Sequence, residues 1–226
     1  MLVIGHRGAA GLAKENTLQA LLAGKKAGAD MLEFDVRLTK DGILILAHDF
    51  HTLRTHGKAS VISKLTLAQL QIRLGNSEVV TLEQVLDTFF GEILLNIEAK
   101  GRGSGKAIVS LLKTRYIKNE NDWNGVLISS FDGRELMAAR RASKNVNLAL
   151  LQAENPFVFI LYQKLAGLTA VGFHRFYINP LALEIAKKLG LLTYVYTVNQ
   201  PSIAIRLEAM GIDGVVTDYP NRLSKN

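Results

Sequence analysis

Met31-Leu32-Glu33-Phe34-Asp35-Val36-Arg37 is the stretch on which the fold turns. At the period of two of an extended chain, Leu32, Phe34 and Val36 fall on one face. Met31, Glu33, Asp35 and Arg37 fall on the other, increasingly charged toward the C-terminal end. Carboxylates sharing a face repel unless a cation or a proton lies between them. Alone, this pattern also fits an antiparallel edge strand with a wet face. It recurs, however, in Ile93-Leu94-Leu95-Asn96-Ile97-Glu98-Ala99-Lys100, where Leu94, Asn96, Glu98 and Lys100 share the polar face. Two strands that turn acidic at the same end point to one shared site.

Outward from there, Leu2-Val3-Ile4 reads as a short strand that breaks into the loop Gly5-His6-Arg7-Gly8. A helix opens after Glu15-Asn16-Thr17, with Asn16 or Thr17 as its cap, and ends near Gly28. Asp41-Gly42 marks a tight turn into Ile43–Ala47, followed by His48-Asp49. Residues 49 to 64 are irregular and polar and carry His51 and His56, which makes them a candidate lid or binding loop. Short helices follow at 65–70 and from Thr81. Beyond 93 the alternation is regular, with strands at 93–98, 126–130, 146–151, 170–173 with 177–179, 192–198 and 214–217. Helices fall between them at 105–117, 133–142, 157–166, 180–189 and 201–210. Eight βα units imply parallel strands joined by helical crossovers, and in a chain of 226 residues this predicts one (β/α)8 TIM-barrel domain spanning 1–226. In such a barrel the chemistry sits at the C-terminal strand ends. His6, Glu33, Asp35, Glu98, Lys100, Ser130, Asn199 and Asp218 all lie at or just past those ends.

With 48% hydrophobic residues the chain can bury a sizeable core, and with no cysteine it has neither disulfides nor thiolate metal sites. It shows no targeting segment, and the run Phe157–Tyr162 is too short to span a bilayer, so a soluble cytoplasmic protein is expected. The net charge of +7 comes from scattered pairs such as Lys25-Lys26 and Lys187-Lys188, which read as solvated helix faces rather than a nucleic-acid track.

Three converging carboxylates, Glu33, Asp35 and Glu98, make a site for a hard divalent cation: Mg2+ or Ca2+, with Mn2+ also compatible. The structural alternative pairs Glu98 with Lys100 and Glu33 with Arg37. It does not explain why all the acids gather at the same strand ends. His6 and His48 follow short apolar strands, and at a pKa near 6.5 one imidazole can accept a proton while the other donates one. Arg7 and Lys100 would meet a phosphate, while Gly5 and Gly8 would let substrate approach the backbone. Together these parts describe metal-assisted phosphoester cleavage. His51, His56 and His174 read as surface or supporting residues.

The motifs His6-Arg7-Gly8 with Glu15-Asn16-Thr17, Glu33-Phe34-Asp35-Val36, Thr39-Lys40-Asp41-Gly42 and His48-Asp49 come first along the chain. Asn96-Ile97-Glu98-Ala99-Lys100, Ser129-Ser130-Phe131, Thr197-Val198-Asn199 and Thr217-Asp218-Tyr219-Pro220 follow. In this order, over nearly the whole chain, the set resembles the short bacterial glycerophosphodiester phosphodiesterases. The resemblance implies a TIM barrel with a small insertion after the second strand, here within roughly 43–65, that helps cover the site. It implies hydrolysis of glycerophosphodiesters, such as glycerophosphocholine or glycerophosphoethanolamine, to glycerol 3-phosphate and an alcohol, with a divalent cation. Glu33, Asp35 and Glu98 would hold the metal, His6 and His48 would be acid and base, and Arg7 and Lys100 would contact the phosphate. The sequence departs from the family at Lys14 and Val80, where proline is usual, and at Tyr196, where tryptophan is common. The leucine expected after His48 comes one place late, at Leu53. These positions bear on the headgroup rather than on the reaction. The rival readings are a phospholipase D-like enzyme for lysophospholipids on the same scaffold and, from another class, a non-catalytic phosphate- or nucleic-acid-binding barrel. The helix over 157–162, read as core-facing, argues against the first. The presence of both histidines and all three acids argues against the second.

Overall fold

The computed structural model describes residues 1–75 and 79–224. Its strands are β1 (Leu2–Gly5), β2 (Met31–Leu38), β3 (Leu44–Leu46), β4 (Leu94–Ala99), β5 (Val126–Ser130), β6 (Asn147–Gln152), β7 (Ala170–His174), β8 (Leu192–Tyr196) and β9 (Gly214–Thr217). All except β3 pair in parallel, in the ring β1-β2-β4-β5-β6-β7-β8-β9, and β9 pairs back with β1 to close it. The result is the closed (β/α)8 barrel expected from the alternation. β3 stands outside the ring as the antiparallel partner of β2, joined to it through the Asp41-Gly42 turn.

The helices are α1 (Leu18–Lys26), α2 (Leu53–His56), α3 (Leu67–Leu74), α4 (Leu82–Phe89), α5 (Ser104–Arg115), α6 (Gly133–Ala142), α7 (Val158–Ala166), α8 (Pro180–Lys188) and α9 (Pro201–Ala209). Side-chain caps set the starts of α1, α3, α4, α6 and α8. Thr17, not Asn16, caps α1, while Thr66 and Thr81 form reciprocal capping boxes with Gln69 and Gln84 at α3 and α4. Tyr177–Asn179 is not a strand: Asn179 turns the chain into α8 by accepting from the backbone of Leu181 and Ala182. None of the described helices is long and apolar enough to cross a membrane.

The strand alternation sorts side chains into two cores. Leu32, Phe34, Val36, Leu95, Ile97 and Ala99 point outward and pack between barrel and helices. Ile4, Met31, Leu127, Ala149, Leu151, Ala170, Tyr194 and Val216 fill the barrel interior. On β2 the inward series therefore runs Met31, Glu33, Asp35, from an apolar plug to a polar mouth. α7 departs from its reading: Phe159 is buried, but Leu161 and Leu165 are 56% and 54% exposed. A helix lying against a barrel buries one stripe only, so this segment supplies no argument about lipid substrates.

Where β4 leaves the barrel, the turn into α5 leans on its neighbour. The buried Glu135 of α6 accepts from the backbone N–H groups of Gly103 and Gly105, both at 2.9 Å. Gly105 is needed there, since a Cβ would lie 2.4 Å from the Glu135 carbonyl oxygen. Replacing Glu135 by Ala strands two donors at a helix start, and denaturant unfolding is expected to show a loss of about 1–3 kcal/mol.

Candidate active site

Register brings the acids together. In the β2–β4 pairing Glu33 stands beside Asn96 and Asp35 beside Glu98, so three carboxylates enter the barrel mouth from two strands. One ligand atom from each of Glu33, Asp35 and Glu98 lies within 4.8 Å of the others, and all three residues are buried. Like charges so close cannot all persist unaided. Burial, reinforced by Asp35, pushes the Glu33 carboxyl up to about 7. Burial and Asp35 likewise push Glu98 well above the usual carboxylate range. Burial acts on Asp35 in the same sense, but Lys100, Arg7, His48 and a hydrogen bond from Asn16 outweigh it and hold this acid below its ordinary value. Lys100 Nζ is 2.6 Å from Glu98 and 3.3 Å from Asp35, and Arg7 Nε is 3.3 Å from Asp35. The Glu98–Lys100 pair considered from sequence is thus present, whereas Arg37 turns away from Glu33 and donates to the His48 carbonyl.

A hard divalent cation fits this cluster. Its donors are all carboxylate oxygens, and Glu33 Oε1 is buried with no hydrogen-bond partner. Glu33 Oε2 accepts from the Arg7 N–H at 2.8 Å, which aims the carboxylate. Asn16 clamps Asp35 twice, donating to its Oδ2 at 2.9 Å and accepting from its backbone N–H at 3.0 Å. For this Asn16 takes a left-handed backbone, φ 56°, which asparagine tolerates better than most residues.

Each histidine is backed by an aspartate. His6 Nδ1 lies 2.6 Å from Asp218 Oδ1, and Asn199 donates to Asp218 Oδ2 at 2.7 Å. His48 Nδ1 lies 2.7 Å from Asp49 Oδ1, and Arg54 holds Asp49 Oδ2 at 2.7 Å while also binding Glu15. Glu15 in turn receives Arg7 Nη1 at 2.8 Å, linking the two loops. The histidines differ in environment. Burial lowers His6, but Asp218 and Glu33 raise it above the ordinary value; at His48 burial prevails over Asp35 and Asp49 and leaves the ring below it.

His6, Arg7, Glu33, His48, Glu98 and Lys100 all line one cavity of about 570 Å3 at the C-terminal strand ends, with Asp35 just behind them. Other expectations need correction. Ser130 points outward and donates to the Ala99 carbonyl, while Ser129 faces the cavity. Gly5 and Gly8 serve the chain's own packing rather than substrate approach. A Cβ on Gly5 would lie 2.1 Å from the Gly8 oxygen, and one on Gly8 2.5 Å from the backbone of α1. His174 is no mere surface residue: it lines the cavity and packs edge-on to Tyr196, which packs edge-on to Phe131. Its place at the end of β7 was the available signal, blurred by reading a strand on both sides of it.

Residues 6–222 match the Glycerophosphoryl diester phosphodiesterase family. The chain belongs to that family. YhdW of Bacillus subtilis, named as a candidate glycerophosphodiester phosphodiesterase, is 32% identical over 242 residues, covering 100% of this chain and 98% of its own. The glycerophosphodiester phosphodiesterase of Caldanaerobacter subterraneus subsp. tengcongensis is 30% identical, covering 98% of this chain and 96% of its own. Among solved structures, a phosphodiesterase of Oleispira antarctica in complex with the product sn-glycerol-3-phosphate superposes with a TM-score of 0.86 at 25% identity. It covers 99% of this chain and 95% of its own. Within this phosphodiesterase family the present chain puts Tyr196 in the cavity wall, its hydroxyl donating to the Gln152 carbonyl at 2.6 Å.

The raised Glu33 and Glu98 carboxyls have a consequence for cation binding. A protonated carboxyl is a poor ligand, so binding must expel its proton. Mg2+ or Ca2+ affinity is therefore expected to fall as pH drops through about 7, with proton release visible by calorimetry in buffers of different ionisation enthalpy. Affinity that does not change between pH 6 and pH 8, roughly one unit either side of that value, would contradict the charge arrangement.

Proposed function

We propose that this chain is a divalent-cation-dependent hydrolase of glycerophosphodiesters, such as glycerophosphocholine or glycerophosphoethanolamine. It would release glycerol 3-phosphate and an alcohol, with residues 1–226 working as one barrel unit. The observation that carries the reading is the meeting, around one cavity, of a carboxylate cluster, two aspartate-backed histidines and the cations Arg7 and Lys100.

Glu33, Asp35 and Glu98 would hold the cation, which supplies Lewis-acid polarisation of a phosphoryl oxygen. Arg7 and Lys100, the counter-charges of the cluster, would give their N–H groups to the phosphate and offset the charge that builds on it. Each histidine has Nδ1 committed to a carboxylate, so Nε2 is the nitrogen left for proton transfer. One ring takes the proton from the attacking oxygen, either that of water, which gives glycerol 3-phosphate directly, or that of the substrate's own glycerol hydroxyl, which gives a cyclic phosphate that water must then open. The other gives a proton to the leaving alkoxide as its bond to phosphorus breaks. Asp218 and Asp49 keep both rings oriented through the cycle.

The test is release of glycerol 3-phosphate from glycerophosphocholine, with EDTA and then with Mg2+, Ca2+ or Mn2+ restored. EDTA is expected to stop release and one cation to restore it. His6→Ala and His48→Ala should each lose on the order of 10²–10⁴ in kcat with the fold intact, and Glu98→Gln should chiefly raise the cation concentration required. Turnover that persists in EDTA, or faster cleavage of long-chain lysolipids, would overturn the reading, the latter in favour of a phospholipase D-like activity.

A further inference from the structure

A second cavity, of about 390 Å3, opens beside the active one and shares only Lys100 with it. Arg37, Lys40, Lys100 and Arg102 line it, with Phe50 and Ser63, and among the described residues no carboxylate does. The cations come from separate parts of the chain. Arg37 is the last inward residue of β2, Lys40 sits in the turn between β2 and β3, and Arg102 lies between β4 and α5. Phe50 and Ser63 belong to the insertion after β3. Positive groups gathered around one space repel one another unless an anion lies among them. Lys100 has its answer in Asp35 and Glu98. Among the described residues, Arg37, Lys40 and Arg102 form no ion pair.

Arg37 is the fixed member of the three. It is half-buried, and its Nε and Nη2 both donate to the His48 carbonyl, at 2.9 and 2.7 Å. Its Nη1 has no hydrogen-bond partner among the described residues and lies at the cavity edge, where a Cβ on Gly101 would be 3.4 Å from it. Burial holds the Arg37 guanidinium below its ordinary pKa against the pull of Asp35, Asp49 and Glu98. An anion against Nη1 would meet a preset N–H donor and favour the charge that burial disfavours. The exposed Lys40 and Arg102 would add charge from the two flanking loops. A phosphomonoester brings about two negative charges and three acceptor oxygens, which match three cations better than the single charge of a carboxylate. Phe50, 61% exposed, offers an apolar face to the carbon skeleton that carries it.

We propose that Arg37, Lys40 and Arg102 form a second phosphate-binding site, separate from the cavity where the diester is cleaved. Two ligands present that chemistry: a phosphate carried on the leaving alcohol of the substrate, and free phosphate. The first rests on the proposed hydrolysis of glycerophosphodiesters. It suits the spacing, since Arg37 lies two strand residues past Asp35, about 7 Å nearer the mouth. A three-carbon unit between two phosphates spans a distance of that order. The chain would then favour diesters whose leaving alcohol is itself phosphorylated over the same diesters without that charge. Either ligand would also touch, through Arg37, the segment that carries His48.

Two measurements test the site and separate its ligands, using the whole chain with Mg2+ at low ionic strength, where exposed charges are least screened. In the first, kcat/KM is compared for glycerophosphoglycerol and for the same diester with a phosphate on a terminal hydroxyl. Wild type is expected to favour the phosphorylated diester by on the order of 10-fold. Lys40→Gln combined with Arg102→Gln should remove most of that preference and leave turnover of glycerophosphocholine unchanged. In the second, inorganic phosphate is titrated by calorimetry. Wild type is expected to take up a second phosphate per chain beyond the one in the active cavity, and the double variant to lose it. That loss without a kinetic preference would keep the site and make free phosphate its ligand. Absence of both effects in wild type, or effects that the double variant leaves intact, would overturn the site. If folded wild type cleaves neither diester yet still takes up the second phosphate through Lys40 and Arg102, the reaction reading falls and the site stands.

Discussion

The mutual repulsion of three buried carboxylates is the constraint around which this molecule is arranged. Glu33, Asp35 and Glu98 offer ligand atoms within 4.8 Å of one another in a setting where burial alone would favour their neutral forms. The surroundings answer that cost unevenly. Asp35 has Lys100, Arg7 and a hydrogen bond donated by Asn16, which also accepts from the Asp35 backbone N–H, and it stays ionised. Glu33 and Glu98 are left proton-hungry, with Glu33 Oε1 unmatched, and a divalent cation would resolve this imbalance. The positive side chains that hold the cluster together, Lys100 and Arg7, both line the cavity.

The loops around the mouth extend the same logic. Glu15 ties Arg7 to Arg54, and Arg54 holds the aspartate that orients His48. The β1 loop and the segment after β3 therefore position one histidine jointly. The other is held by the carboxylate after the neighbouring strand β9, itself fixed by Asn199. Residues from both ends of the sequence meet here because β9 closes the barrel onto β1.

Much of this was legible because strand alternation is strict. Once β2 and β4 have a polar face, period two places Glu33, Asp35 and Glu98 on one wall, and barrel closure brings His6 and Asp218 to it. The reading failed where the pattern carried no phase. Val126–Ser130 is buried throughout, so sequence alone could not decide which of Ser129 and Ser130 faces inward. The Asn16 clamp depends on a left-handed backbone, and the packing of Gly5 and Gly8 depends on how closely chain segments approach. Tyr194, in a strand of hydrophobic character, hid a polar atom at the cavity floor. Such features are set by three-dimensional contact and leave no periodic trace.

The central claim is that the carboxylate cluster is a cation site. Crystals grown with Mn2+ and measured at its absorption edge test it most directly. The account predicts one anomalous peak within coordination distance of Glu33, Asp35 and Glu98, lost in Glu33→Gln. A cavity without that peak, with Lys100 still bridging Asp35 and Glu98, would contradict it.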